Sequence, residues 1–144
     1  MQIDVQNLQK RIPLKPNLIA SRVRKILRYE GVIEARLSVT FVSDQRIKAL
    51  NQKYLHAHYA TDVLAFDFSS NKSHPRKRIF GEIVISTGAV CRQAKIFKNS
   101  NERELTLYVI HGILHLLGFD DHRPKDIKKM RREEEKLLEL IKVE

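Results

Sequence analysis

The stretch of sequence that decides the fold is NERELTLYVIHGILHLLGFDDH, residues 101–122. Drawn as a helix, it is apolar on nearly every side, through Leu105, Leu107, Tyr108, Val109, Ile110, Ile113, Leu114, Leu116 and Leu117. A helix that is apolar all round is typical of a protein core. We therefore predict a central buried helix that begins in a capping box of Asn101 and Glu104. Gly118 supplies its left-handed stop.

Two histidines interrupt this apolar helix. His111 and His115 are four residues apart, which places both rings on one face, one turn from each other. A buried imidazole needs a partner, and one explanation is that each ring bonds a nearby backbone or carboxylate group. However, His122 follows just past the helix end, and three imidazoles with an open fourth position are typical of catalytic zinc. We predict that His111, His115 and His122 hold one zinc ion.

The residue between these histidines argues against an ordinary peptidase. In the H-E-x-x-H motif of zinc peptidases, the glutamate after the first histidine is the general base. Here that position is Gly112. A peptidase would need its base from elsewhere in the chain, so the pattern favours a metal hydrolase of another kind.

Length and composition predict one domain spanning residues 1–144. A hydrophobic fraction of 42% is enough for a single core. The only cysteine, Cys91, cannot form an intrachain disulfide, which favours a reduced intracellular protein. No signal-peptide pattern and no run of 18 apolar residues occurs. We expect a soluble, cytoplasmic protein without a membrane partner; its oligomeric state is not predicted.

The net charge of +10 arises from 27 Lys and Arg against 17 Asp and Glu, and the excess is clustered in residues 10–30 and 72–78. Clustering favours a phosphate-binding surface, and nucleic acid is the commonest partner of such a surface. The alternative is a solvated flank that keeps the protein soluble. The predicted RNA-binding residues are Arg22, Arg24, Lys25, Arg28, Lys72, Arg76, Lys77 and Arg78.

Strands and helices are interleaved along the rest of the chain. Alternating or apolar runs predict strands at residues 2–5, 35–41, 63–68 and 79–85, and helical spacing predicts further helices beginning near residues 16, 44, 87 and 124. We predict an α/β or α+β layer structure, a small mixed sheet with helices packed on it. In the last helix, the acidic run 133–135 is expected to face solvent. His56 and His58 are expected in an exposed loop.

Three segments together resemble a known family. HGILHLLGFDDH (111–122) closely resembles H-G-x-L-H-L-x-G-Y-D-H, the signature of the YbeY-type endoribonucleases, which are rRNA maturation factors. LNQKYLHAHYATDVLAFDF (50–68) is similar to that family's L-N-x-x-Y-R…P-T-D-V-L-S-F-P-F stretch. GEIVIS (81–86) is similar to its G-D-I-x-I-S strand. The resemblance covers roughly half of the chain, in the expected order.

This resemblance implies a zinc-dependent endoribonuclease that cleaves single-stranded RNA. It implies a role in 3′-end maturation of small-subunit rRNA and in ribosome quality control, with ribosomal RNA or the small ribosomal subunit as partner. The implied fold is one domain with a four-stranded mixed sheet and about five helices. Within the family's pattern, His111 and His115 are the first two zinc ligands.

Two departures from the family pattern affect the site. The family places its third histidine six residues after the second, whereas His122 is seven residues after His115, and a gapless alignment puts Asp121 in that position. Aspartate is also a zinc ligand. We favour His122, because a turn absorbs one inserted residue easily. In addition, Leu55 stands where the family has arginine, so any role of that arginine falls to another residue or is absent.

The general base is not identified by the sequence. Asp62 and Glu82 are candidates if they approach the metal, and Asp120 is a candidate for orienting an imidazole. Two other functions stay open: a metallopeptidase, and a non-catalytic RNA-binding or ribosome-assembly factor with a structural metal. An open metal position would favour catalysis, and a fourth protein ligand would favour a structural role.

Overall fold

The structure, a computed structural model, describes residues 1–55, 62–70 and 76–143. These residues form four strands and five helices, in the order β1 (Gln2–Asn7), α1 (Pro16–Tyr29), β2 (Glu34–Val42), α2 (Asp44–Leu55), β3 (Val63–Asp67), β4 (Arg78–Ser86), α3 (Thr87–Phe97), α4 (Asn101–Leu116) and α5 (Pro124–Ile141). The predicted fold class, a small α+β domain with a mixed sheet, is confirmed. His56 and His58 lie outside the described residues.

The strands form one sheet in the order β1-β2-β4-β3, with β1, β2 and β4 parallel and β3 antiparallel to β4. Side chains alternate between its two faces. On β4, Ile83 and Ile85 join the main core, whereas Val84 joins a smaller cluster on the opposite face. On the neighbouring strand β3, Ala65 pairs with Ile83 and Leu64 pairs with Val84. Helix α2 covers the face of Val84 through Ile47 and Leu50, and the other helices that contribute to the main core pack on the opposite face.

Helix α4 packs against the main-core face and is the predicted central helix. Its side chains Ile110, Ile113 and Leu114 are fully buried. It approaches β4 very closely at Gly112, where an added Cβ would lie 2.7 Å from Cγ2 of Ile83. This glycine therefore lets the histidine-bearing helix lie directly on the sheet.

The two ends of α4 are set by local hydrogen bonds. Oγ of Ser100 accepts a hydrogen bond from the backbone N–H of Arg103, so Ser100 is the N-cap and the predicted cap at Asn101 is wrong by one residue. At the other end, Gly118 has a φ of 100°, as the sequence predicted. The chain leaves the helix there and turns back across its end.

Helix α5, the longest at 18 residues, packs on α4 and α1. Its buried residues Met130, Glu134, Leu137 and Leu138 recur at helical spacing. The prediction that the acidic run faces solvent is therefore wrong for Glu134, which is 7% exposed. Charged residues occupy the outer side of α5, and none of the helices in the described ranges is both long and apolar enough to cross a bilayer.

Candidate metal centre

Three ligand atoms converge at the C-terminal end of α4. The Nε2 atoms of His111 and His115 are 3.0 Å apart, and their rings meet nearly edge-on at 81°. Oδ2 of Asp121, brought back by the turn after the helix, lies 3.6 Å from Nε2 of His115 and 3.8 Å from Nε2 of His111. These atoms form one of two potential metal-binding groups in the described part of the chain.

The spacing of these atoms fits one divalent ion. Ligands about 2.0–2.2 Å from a tetrahedral zinc ion lie roughly 3.3–3.6 Å from one another. The distances among His111, His115 and Asp121, from 3.0 to 3.8 Å, bracket that range. Imidazole nitrogen and carboxylate oxygen are both zinc ligands. The 3.0 Å distance between the two Nε2 atoms would also suit a hydrogen bond between the rings, which is the alternative arrangement without a metal ion.

Glu134 fixes the orientation of the first histidine. Nδ1 of His111 lies 3.1 Å from Oε1 of Glu134, and in the Nδ1–H tautomer it donates a hydrogen bond to that oxygen. In that tautomer the lone pair of Nε2 points toward His115 and Asp121. This contact was not foreseen from the sequence. The signal was available, since Glu134 shares the helical stripe of Met130 and Leu138.

The environment of His115 favours its neutral form. Burial lowers the pKa of His115, and the neighbouring His111 lowers it further. Asp121 and a hydrogen bond with the backbone of Phe119 act in the opposite direction without cancelling the decrease. A neutral imidazole is the form that binds a metal ion.

The structure does not bring the side chain of His122 to His111 and His115. Its side chain is 85% exposed, with Nε2 3.5 Å from Oδ1 of Asp120. Oδ1 of Asp120 also accepts from the backbone N–H groups of Asp121 and His122, at 2.7 and 3.2 Å. This tight turn directs Asp121 inward and His122 outward. Which of the two is the third ligand stays a prediction.

A cavity of about 800 Å³ opens beside these ligand atoms, and Asp62 and Tyr108 also line it. The Tyr108 hydroxyl donates a weak hydrogen bond to Oδ2 of Asp62 at 3.4 Å. Burial raises the pKa of Tyr108, and the charge of Asp62 adds to the increase. Glu82, the other candidate base, pairs with Phe66 on the opposite face of the sheet and lines a different cavity. Of these two carboxylates, only Asp62 lines the cavity beside the candidate metal ligands.

The predicted RNA-binding residues of α1 differ in their surroundings. Arg22 is only 19% exposed and pairs with Glu102 at 2.8 Å, so its guanidinium is already engaged. Arg24 is half-buried. Lys25 and Arg28 are exposed, and neither has an ion-pair partner among residues 1–55, 62–70 and 76–143. Those two cations are free to meet a phosphate.

The residues of the second basic cluster also differ in their surroundings. Arg76 is 8% exposed and forms an ion pair with Asp67, so it does not contribute to an exposed surface. Lys77 and Arg78 are exposed, and Arg78 forms an ion pair with the exposed Glu34 of β2. Lys72 lies outside the residues that the structure describes. Of this cluster, Lys77 is the described cation that has no acidic partner.

The chain segments that carry the two basic clusters come together at one end of the sheet, the basic end. The backbone N–H of Ile33, just after α1, donates to the carbonyl oxygen of Lys77 at 2.8 Å. A second cavity of about 460 Å³ lies there and is lined by residues that include Glu30, Phe119 and Asp120. Arg76 of the second cluster also lines this cavity, which therefore connects the segments after α1 and before β4 with the turn that carries Asp121.

Comparison with known proteins gives consistent results. The family model for endoribonuclease YbeY matches residues 4–142. An endoribonuclease YbeY of Syntrophus aciditrophicus is 33% identical over 144 residues, which cover 98% of this chain and 90% of that protein. One from Desulforamulus reducens is 36% identical, with 98% and 97% covered. A solution structure of a Thermotoga maritima protein is similar with a TM-score of 0.69 at 30% identity, covering 97% of this chain and 89% of that one.

Proposed function

This chain belongs to the endoribonuclease YbeY family, and on that premise we propose that it is a metal-dependent hydrolase that cleaves single-stranded RNA internally. The observation that carries the proposal is the convergence of two imidazole Nε2 atoms and a carboxylate oxygen beside a large open cavity. The family identified from HGILHLLGFDDH is confirmed.

We propose zinc as the metal, held by His111, His115 and Asp121. Two imidazoles and one carboxylate form one of the three-ligand sets that catalytic zinc uses. A bound zinc ion would supply Lewis-acid polarisation of a phosphoryl oxygen of the RNA. His122 is the alternative third ligand, and it requires the Asp120 turn to rearrange.

The chain's own residues supply orientation and proton transfer. Glu134 holds His111 in the tautomer that leaves Nε2 free. Asp62 is our candidate for the general base, because its carboxylate shares the cavity with the ligands. The Tyr108 hydroxyl, bonded to Asp62, orients that carboxylate. Asp62→Asn should slow cleavage by roughly 10²–10⁴-fold without loss of zinc.

The RNA backbone is proposed to lie across the basic end of the sheet. Lys25, Arg28 and Lys77 are exposed cations without acidic partners in the described structure, so they suit phosphate groups. Arg76 acts instead as a structural partner of Asp67. An RNA strand bound at this end would continue past the turn at Phe119 into the metal site.

In the cell we propose a role in 3′-end maturation of small-subunit rRNA and in ribosome quality control, in the cytoplasm. Family membership supports this role, and the net charge of +10 suits a ribosomal RNA partner.

The two rival functions have less support. A metallopeptidase of the common zinc type lacks its base, since Gly112 follows His111. A purely structural metal would be enclosed by a fourth protein ligand. Here both histidine side chains are 30% exposed and border the cavity, so substrate has access.

The direct test is His115→Ala in zinc-loaded protein. We expect bound zinc and cleavage of a single-stranded RNA both to disappear, while circular dichroism shows an intact fold. Chelator added to wild-type protein should stop cleavage, and zinc added back should restore it. Undiminished RNA cleavage by His115→Ala would overturn the assignment of this site.

A further inference from the structure

The metal-site cavity extends beyond the reacting centre, and an exposed aromatic ring lines it. Phe97, the last residue of α3, is 62% exposed and borders the same cavity as His111 and His115. Helix α3 ends there because Lys98 adopts a left-handed conformation, with φ of 57°. The Phe97 ring is therefore held at the end of α3, but most of its surface is exposed to solvent and does not pack in the core.

Phe97 stands at the far end of this cavity from the ligand-bearing turn. Nδ2 of Asn99 donates to Oε1 of Glu104 at 2.8 Å, which holds the segment after α3 beside the first turn of α4. From Glu104 to His111 is seven residues, roughly 10 Å along a helix axis. A ligand that contacts Phe97 would therefore do so at a point displaced from the Nε2 atoms of His111 and His115.

Arg131 is a free cation in the same cavity. It is exposed, lines the cavity and has no ion-pair partner in the part of the chain that the structure describes. It lies on α5 three residues before Glu134, the partner of His111, so both face the same side one turn apart. A planar guanidinium binds phosphate oxygens in bidentate fashion. Its neighbour Arg132 does not line the cavity.

We propose that this cavity is a binding track for single-stranded RNA, in which Phe97 stacks on an unpaired base and Arg131 holds a backbone phosphate beside the metal site. The proposal rests on the proposed function for the nature of its ligand.

The chemistry explains the choice of single strands. Proteins that bind single-stranded nucleic acid combine a basic groove with aromatic rings on which bases stack. A base inside a duplex has both faces covered by its neighbours, so it cannot stack on Phe97. The family has an arginine at the position of Leu55 in this chain. Arg131 supplies a guanidinium in this cavity from another part of the sequence.

The test measures binding separately from cleavage. Zinc-loaded protein is titrated into a labelled, fully 2′-O-methylated RNA strand, and a gel confirms that the strand stays intact. Each variant has a matched neighbour as control. Phe97→Ala is compared with Ile96→Ala, a residue that is 66% exposed but does not line the cavity. Arg131→Ala is compared with Arg132→Ala.

We expect Phe97→Ala to weaken single-strand binding about 5- to 100-fold, while Phe97→Tyr, which keeps a ring, stays near wild type. Binding of a duplex of the same sequence should not change. For Arg131→Ala, the slope of log K against log salt should fall by about 0.7, the value for one phosphate contact on a single strand.

The proposal is overturned if Phe97→Ala binds single strands as Ile96→Ala does, or if duplex binding falls equally. It is also overturned if Arg131 and Arg132 give the same salt slope. Failure of wild-type protein to cleave unmodified RNA would instead count against the proposed function, because the binding measurements do not depend on cleavage.

Discussion

Oε1 of Glu134 lies 3.1 Å from Nδ1 of His111, so a carboxylate from α5 orients a ring on α4 across 23 residues of sequence. Hydrogen bonds of this kind fix both the tautomer and the direction of a metal-binding imidazole. The packing of α5 on α4 and the geometry of the metal site are therefore coupled.

Glu134→Ala should weaken zinc binding about 10- to 100-fold, because His111 loses the group that holds its Nε2 toward the metal. Glu134→Gln keeps an oxygen that accepts the Nδ1–H bond and should lose less. Competition with a chromophoric chelator measures the affinity. Glu139→Gln, an exposed glutamate of the same helix, serves as control. Equal zinc affinity in Glu134→Ala and Glu139→Gln would show that the hydrogen bond has no influence on the metal.

Asp121→Ala and His122→Ala separate the two possible third ligands. We expect Asp121→Ala to lower zinc affinity by at least about tenfold, since loss of even an outer-shell partner typically costs that much. His122→Ala should stay near wild type, because its ring is exposed and lies beside Asp120. Competition with the same chromophoric chelator measures the zinc affinity of both variants. The opposite order of affinities would restore the three-histidine site expected from the sequence.

Gly112→Ala should destabilise the protein, because the new Cβ would lie 2.7 Å from Cγ2 of the fully buried Ile83. Overpacking of this kind costs about 1–3 kcal/mol. The better helix propensity of alanine offsets about 1 kcal/mol of that. Urea denaturation should therefore show a net loss of up to about 2 kcal/mol.

Ile83→Ala provides the control for this clash. It removes the atom that meets the new Cβ, so Gly112→Ala should be better tolerated in the Ile83→Ala background than in wild type. Strictly additive effects of the two changes would contradict the close approach of α4 to β4.

Glu30 should make stability depend on pH. Burial, and then a hydrogen bond with Glu133, raises the pKa of Glu30 from 4.5 to about 8. Between those values the folded protein keeps a proton that the unfolded chain has released, so the free energy of unfolding falls as pH rises. Because the carboxyl is partly exposed, we expect an effect on the order of 1 kcal/mol.

Glu30→Gln should remove this part of the pH dependence. Urea denaturation at about pH 5 and about pH 9 would measure it as the difference between variant and wild type. The exposed Glu139→Gln should leave the wild-type slope intact. A Glu30→Gln variant that loses as much stability as wild type between the two pH values would rule out the assignment.

The sequence by itself determined the features that depend on local periodicity. The apolar run of α4 predicted a buried central helix, and the spacing of His111 and His115 placed both rings on one face. Gly118 marked the end of that helix. The alternation along β2 predicted its strand, and the residues 111–122 identified the family. Each of these depends on neighbours within a few residues.

The tertiary structure alone decided which distant groups meet. Glu134 joins His111 only because α5 packs on α4, and Asp121 rather than His122 turns inward because Asp120 closes the turn. Likewise Arg76 is buried while Lys77 beside it is exposed. A local pattern fixes the face of a helix or strand on which a side chain lies. It does not specify what packs against that face, because this depends on contacts between residues far apart in the chain.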